Sequence, residues 1–378
     1  MNRSNQQEEE HVRFRIWVPM ALTIAAFVAA GCGSSNKSNS STSGASSSSS
    51  TKTAKVAVLL PDTQSSVRWE TQDRRYLDAA FKAAGVNATI VNAQGDPSTQ
   101  RSQADQALTN GAKVILLVDL DPGSGAAIIQ TAHSRGAKVI DYDRLTLGGG
   151  ADYYVSFDNT AVGKLQGQGL VNCLGASGVS HPTVAELNGS PTDNNATLFA
   201  QGYDSVLGPK YAAGDYKKGP NQSVPDWDNQ KALTIYEQML QQTGNKINGV
   251  LAANDGLANS VISAENARKL KPVPVTGQDA TAEGIQHILA GEQCMTVYKR
   301  VKEEAAAASK LAIALAKGQT PTTNGTVDNK TAKTPSVLLQ PQAVTKANIK
   351  DTVIKDGFLL RKDICVGKFA ADCTAAGL

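Results

Sequence analysis

The chain has 378 residues, a net charge of +3, 5% aromatic residues and 19% charged residues. That length allows about two domains of ~100–200 residues, each with a core of its own. A balance so near neutrality gives no electrostatic reason for a nucleic-acid partner, and the sequence holds no GxSxG elbow, P-loop, GxGxxG fingerprint or HExxH helix.

Arg13 and Arg15 precede an apolar run over residues 16–30 that ends at Gly31-Cys32. A basic flank, a short apolar core and small residues at the exit predict an export signal over 1–32. An uncleaved transmembrane anchor is the alternative, but spanning takes about 20 apolar residues and this run is shorter. Ala29-Ala30-Gly31-Cys32 resembles a bacterial lipobox, which makes Cys32 the lipidation candidate. Residues 33–54 are almost entirely Ser, Thr, Gly, Asn and Lys, too polar to order themselves, and read as a disordered tether. Such a tether spans roughly 25 Å r.m.s..

From residue 55 strands and helices alternate. Residues 56–60 are continuously apolar and predict a buried parallel strand. A helix over 68–84 follows, ending at Gly85, then a strand over 88–91, a helix over 98–109, a strand over 114–118, a helix over 124–134, and strands over 138–140 and 153–157. After Asp158-Asn159 the alternation restarts with a helix over 162–174, a strand over 183–187, a helix over 195–207 and a strand near Tyr216. A helix over 228–241, a strand over 250–253, a helix over 257–269, a strand over 274–277 and a helix over 282–289 come next. The chain closes with a strand over 295–298, an Ala-rich helix over 301–317, a loose segment over 318–333, a segment at 336–339 and a short tail. The expected fold class is α/β, two doubly wound parallel-sheet lobes with the ligand outside the carboxyl ends of the strands.

Those strand ends are where polar chemistry accumulates. Leu60 leads to Arg68-Trp69, Ile140 to Asp143-Arg144, Leu187 to Asp193-Asn194-Asn195, Ala253 to Asn254-Asp255, Gly277 to Gln278-Asp279, and Tyr298 to Lys299-Arg300. Any one of these is an ordinary helix cap, since Asp and Asn accept the free amides of a first turn. One cap needs one residue, however, and the run at 193–195 supplies a surplus. Acceptor carboxylates (Asp143, Asp193, Asp279), two-way amides (Asn195, Asn254), cations (Arg144, Lys299) and indoles (Trp69, Trp227) together suit a sugar. Its hydroxyls donate and accept, and its ring face stacks on indole. Three or four charged hydrogen bonds at ~1.5–3 kcal/mol each, plus a stacked ring, offset binding costs to reach about 8 kcal/mol, roughly micromolar.

Paired carboxylates also suit a glycoside hydrolase, the rival reading. That chemistry needs one carboxyl kept protonated. Here Asp143 adjoins Arg144, and Lys299 follows the strand after Asp279. If these groups converge, the cations favour ionised acceptors and binding is the expected function. Apart from Cys32, the cysteines are Cys173, Cys294, Cys365 and Cys373. Cys365 and Cys373, close together near the C-terminus, are the preferred disulfide; a buried free thiol is the alternative for Cys173. No spacing resembles a zinc site, and no motif calls for a cofactor.

Between residues 55 and 358 the chain resembles the type I periplasmic sugar-binding proteins of ABC transporters. The resemblance is carried by Arg68-Trp69 with Asp73-Arg74, Tyr142-Asp143-Arg144, Ser156-Phe157-Asp158-Asn159, Gly189-Ser190-Pro191 with Asp193-Asn194-Asn195, Asn254-Asp255, Gly277-Gln278-Asp279-Ala280 and Met295 to Lys299. It implies two Rossmann-like lobes joined by a three-stranded hinge, with crossovers near 157–159, near Gly277 and within 318–333. The first lobe would then be 55–157 with 278–320, the second 158–277 with 321–358, and the tail 359–378. Trp69 and Trp227 would sandwich the sugar. Arg68, Asp143 and Arg144 would bind hydroxyls from the first lobe together with Asp279 and Lys299, while Asp193, Asn195 and Asn254 would bind from the second. The resemblance further implies an extracytoplasmic, lipid-anchored monomer that needs no cofactor and delivers a monosaccharide to an ABC permease. D-xylose is the first candidate, with another aldopentose or glucose as alternatives. The loop 61–67 departs from the family's pattern at the pocket's edge.

Overall fold

A computed structural model describes residues 55–378; the export signal, Cys32 and the tether lie outside the described residues. Strand β1 (Lys55–Leu60) is buried from Val56 onward and lies between β2 (Ala88–Asn92) and β3 (Ala112–Leu117), parallel to both. An unbroken apolar run has this place because helices cover both faces of a parallel sheet. One π-helical turn, Trp69–Asp73, enters helix α1 (Arg74–Ala83). Helices α2 (Pro97–Thr109) and α3 (Pro122–Ser134) start at Asp96 and Asp121, whose side chains accept from Ser98 N and Ser124 N. Each has proline at its first position, where no amide hydrogen is missed. Strands β4 (Lys138–Tyr142) and β5 (Tyr153–Phe157) extend the sheet.

The chain then crosses over. Helix α4 (Asn159–Ser177) packs on α5 (Asn194–Ala212) so closely that a Cβ at Gly163 would stand 2.0 Å from the Phe199 carbonyl oxygen. Strand β6 (Thr183–Asn188) lies between β7 (Lys217–Ser223) and β8 (Gly249–Ala252), all parallel. Helices α6 (Asn229–Gln242) and α7 (Asp255–Ala267) cover that sheet, and α8 (Ala282–Ala290) follows. The strand expected over 274–277 is a single bridge, Val275 to Val250. Its neighbours bond onward, Cys294 N to Val275 O and Val297 N to Gly277 O, into β9 (Thr296–Tyr298).

Only after β9 does the chain return. Helix α9 (Val301–Ala316) sets Ala305, Ala308, Leu311 and Ala312 into the core of the first sheet, against Leu77, Phe81 and Val56. Strands β10 (Gly325–Asp328) and β11 (Lys333–Leu339) form an antiparallel hairpin, and β11 runs parallel beside β5. The first sheet is therefore seven-stranded, in the order β10-β11-β5-β4-β3-β1-β2. Strand β12 (Gln342–Val344) then pairs antiparallel with β9 in the second lobe.

This topology corrects two expected boundaries. Residues 278–298 stay with the second lobe, because the ladder through Gly277 continues into β9. Residues 325–339 join the first lobe, because β11 pairs with β5. The second and third crossovers thus fall between Tyr298 and Val301 and between Leu339 and Gln342, and not at Gly277 or within 318–333.

The C-terminal segment is folded onto α8. Helices α10 (Arg361–Ile364) and α11 (Ala370–Ala375) bury Ile364 and Cys373 against Ile285, Ile288 and Leu289, and a disulfide joins Cys365 to Cys373. A second disulfide, Cys173 to Cys294, ties α4 to the segment entering β9. Among the described residues no helix is long and apolar enough to cross a membrane.

Candidate ligand-binding site

All ten residues expected from the sequence line one cavity at the carboxyl ends of the two sheets: Arg68, Trp69, Asp143, Arg144, Asp193, Asn195, Trp227, Asn254, Asp279 and Lys299. Ser65, Ser66, Phe199 and Gln278 complete the lining.

On the first-lobe side, Arg68 is held from several directions. Its Nε and Nη2 donate to Asp73 at 2.9 and 2.8 Å, and its Nη1 donates to Asp143 Oδ2 at 2.9 Å. Its guanidinium lies 4.6 Å from the centroid of the Trp69 ring, and Trp69 Nε1 donates to Ser65 Oγ at 3.1 Å. Arg144 donates to Asp119 O and to Ser65 Oγ, each at 3.1 Å, and its Nε stands 3.2 Å from Asp193 Oδ2. Asp143 gathers charge from three directions. Burial alone would raise its pKa, but Lys299, Arg68 and Arg144 outweigh burial and take it down to about 2, so it is a fixed anionic acceptor.

From the second lobe, Asp193 acts through both oxygens. Oδ1 accepts from Asn195 N at 2.8 Å and caps α5, while Oδ2 accepts from Trp227 Nε1 at 3.1 Å. Burial pushes the Asp193 pKa up against the pull of Arg144. Asn254 likewise caps α7 through Leu257 N at 2.9 Å and donates from Nδ2 to Ser65 O at 3.2 Å. Asn195 is no cap: its Nδ2 donates to both Asp143 O and Asp143 Oδ1 at 3.1 Å. The surplus in the 193–195 run therefore reaches across to the other lobe, and these contacts hold the lobes closed on each other.

Trp227 lies against Gly189, where a Cβ would fall 2.0 Å from its ring, and meets Phe199 edge-on at 6.4 Å between centroids. Asp279 accepts from Ser66 Oγ at 3.0 Å and faces Lys299 Nζ at 3.5 Å; Lys299 Nζ also donates to Asp143 Oδ2 at 3.3 Å. Asp279 and Lys299 flank β9 and so come from the second lobe at the hinge, not from the first lobe after a recrossing as expected.

Two features mark the cavity as a place for a polar guest. Gln278 Oε1 is buried in its wall without a polar partner, and Arg144 Nε and Asp279 Oδ1 make only ion-pair contacts, to Asp193 and Lys299, without a well-aligned hydrogen bond, although buried polar groups are nearly always paired. Asp143, Trp227 and Asp279 hold φ of 63°, 56° and 96°. Non-glycine residues take this left-handed region in only a few per cent of cases, and such strain clusters where function needs it.

Sequence reasoning missed four lining residues. Ser65 and Ser66 lie in the loop 61–67, whose pattern gave no motif. Gln278 stood beside a chosen residue, and Phe199 is one helical turn beyond Asn195, a spacing that signals a shared face. Among the described residues no cluster of His, Cys, Asp and Glu suits a metal ion.

Two α/β lobes exchanging the chain three times around such a cavity define a class of two-lobed solute-binding proteins. The periplasmic binding protein domain family matches residues 56–320, and the chain belongs to it. Its members are solute-binding proteins and not enzymes, which sets the hydrolase reading aside. The chain is 37% identical over 305 residues to the D-xylose-binding periplasmic protein of Escherichia coli, covering 80% of this chain and 90% of that one. It is 34% identical over 322 residues to a multiple sugar-binding periplasmic receptor of Rhizobium radiobacter, covering 80% and 90%. Among solved structures, a carbohydrate transporter solute-binding protein from Chloroflexus aurantiacus in complex with D-glucose has a TM-score of 0.75 and 30% identity, covering 82% of this chain and 97% of that one.

Proposed function

We propose that this protein is the extracytoplasmic sugar-binding component of an ABC importer, taking a monosaccharide, D-xylose by preference, between its lobes and delivering it to the permease. The observation that carries the reading is the interlobe cavity whose wall leaves Gln278 Oε1 unpartnered, and Arg144 Nε and Asp279 Oδ1 without a hydrogen bond, beside two indoles from opposite lobes. Sugar hydroxyls donate to the two acceptors and accept from the guanidinium, and the ring's apolar faces lie against Trp69 and Trp227. Arg68, Asp143, Asn195, Asn254 and Lys299 complete the ring of hydroxyl partners, and Asp193 orients Trp227 and Arg144. The relatives support an aldose, and the D-xylose-binding proteins among them support a pentose. In this reading Cys32 carries a lipid and residues 33–54 leave the monomeric body free to swivel above the membrane.

Binding draws the lobes together about three hinge strands, and the bonds from Asn195 to Asp143 and from Asn254 to Ser65 form only on closure. Calorimetric titration with D-xylose, L-arabinose, D-ribose, D-glucose, D-galactose and myo-inositol tests the reading. Micromolar or tighter binding of D-xylose with weaker D-glucose is expected. No heat with any of the six sinks it.

A further inference from the structure

Glu304 does not line the cavity, yet it is fully buried directly behind it. It sits in the first turn of α9, immediately after the second crossover, and its Oε2 accepts from Arg68 Nη2 at 2.5 Å. Arg68 has five N–H donors. Two go to Asp73, one to Asp143 and one to Glu304, which leaves a single N–H on Nη1 uncommitted at the cavity wall. Asp73 is itself fixed by Tyr142 Oη, which donates to its Oδ1 at 2.5 Å.

We propose that Glu304 is a positioning residue for sugar binding: in its protonated form it holds Arg68 so that the guanidinium stays engaged with Asp143 and keeps one hydrogen for the ligand, and its ionisation weakens the site. The inference rests on the proposed function. Around Arg68 and Lys299 stand Asp73, Asp143, Asp279 and Glu304, so carboxylates outnumber these two cations. Arg144 is drawn away toward Asp193 and Asp119 O. The charged groups that act most strongly on Glu304 are Arg68, Asp143, Asp73 and Lys299, and the phenols of Tyr142 from β4 and Tyr154 from β5 face it as well.

Burial is the largest influence on Glu304 and pushes its pKa up to about 8 against the attraction of Arg68, with Asp143 and Asp73 adding to the rise. Both tyrosines are raised far above that range, Lys299 is raised above its ordinary value, and Asp143 stays ionised at about 2. In mildly alkaline solution Glu304 is therefore the member of this cluster that changes charge. Its new anion competes with Asp143 for Arg68. Asp119, raised to about 7 by burial, titrates on the Arg144 side and contributes equally in variants of Glu304.

The test is calorimetric titration of D-xylose and D-glucose at pH 6.5 and 9.5 into the wild-type chain, Glu304→Gln and Glu304→Leu. Binding of either sugar at pH 6.5 checks the proposed function; the ratio of Kd between the two pH values checks this proposal. The wild type should bind about tenfold more weakly at pH 9.5, a factor of ten in the equilibrium constant. Glu304→Gln keeps a neutral acceptor for Arg68 and should show a ratio near that expected from Asp119 alone. Glu304→Leu, which offers Arg68 no acceptor, should raise Kd about tenfold at both pH values. A residue that only stabilised the fold would shift the melting temperature and leave the ratio unchanged. A flat wild-type profile overturns the proposal, and so does an undiminished ratio in Glu304→Gln.

Discussion

Asp193 and Trp227 are joined by a hydrogen bond of 3.1 Å from the indole nitrogen to Oδ2, while the other oxygen of the same carboxylate caps helix α5. The start of a helix and the setting of an aromatic wall thus depend on one side chain. Asp193→Ala should release the indole, strand Arg144 and lose the cap, costing about 1 kcal/mol of stability from the cap alone and weakening sugar binding by more than tenfold. Asp193→Asn retains a capping oxygen, so it should keep most of the stability while still losing affinity. Calorimetry beside thermal denaturation separates the two effects; equal losses of stability in both variants would show that the charge, not the cap, stabilises the turn.

Gly189 is the other support of that indole. A Cβ there would fall 2.0 Å from the Trp227 ring. Gly189→Ala should displace the ring into the cavity at an overpacking cost of about 1–3 kcal/mol, with altered tryptophan fluorescence and at least tenfold weaker sugar binding. Unchanged fluorescence and affinity would mean that the turn yields instead of the ring.

The two disulfides should differ in their effect. Cys173 and Cys294 are 121 residues apart, against 8 for Cys365 and Cys373. Chain-entropy reasoning assigns about 4–5 kcal/mol to closing the long loop and about 2.5 kcal/mol to the short one. Cys173→Ser should therefore lower the melting temperature more than Cys365→Ser, and the reverse order would point to the packing of the tail on α8 as the larger contribution.

Stability should fall from mildly acid to mildly alkaline pH. Burial raises Asp255 to about 6, Asp119 to about 7 and Glu304 to about 8. A carboxyl with a raised folded pKa binds more protons in the folded than in the unfolded chain, so its unfavourable contribution grows from about pH 4 up to its folded pKa. Asp143 acts in the opposite sense: its stabilisation is present above about pH 4 and is lost as the pH falls through about 2. The ligand-free protein should thus melt highest near pH 5 and lower at pH 8.5. A melting temperature that rises steadily over that range would contradict the assignment.

Much of this architecture was legible in the residues. The alternation of apolar runs with amphipathic stretches marks the strands and helices, because a buried parallel strand has no wet face to interrupt its hydrophobicity. The polar strand exits converge on one cavity because parallel strands all point their carboxyl ends the same way. The crossovers at 298–301 and 339–342 were not legible, since Gly277 reads as a break while its carbonyl in fact bonds onward to Val297 N. Nor was β10, an edge strand whose Gly, Thr and Asp leave no apolar alternation to detect, or the pairing of β11 beside β5. Glu304 was hidden for a similar reason: in the first turn of an Ala-rich helix a glutamate looks like an ordinary solvated charge, and only the return of α9 beneath Arg68 buries it.

The left-handed backbone at Asp143, Trp227 and Asp279 bears on any attempt to retune which carbohydrate is accepted. Exchanging these residues for β-branched ones would move the main chain as well as the side chain, and selectivity would change together with the geometry of the whole wall. Ser65, Ser66 and Phe199 border the same space and have no such constraint. A biosensor or importer with altered preference is best sought by diversifying those three while the twisted positions keep their native side chains.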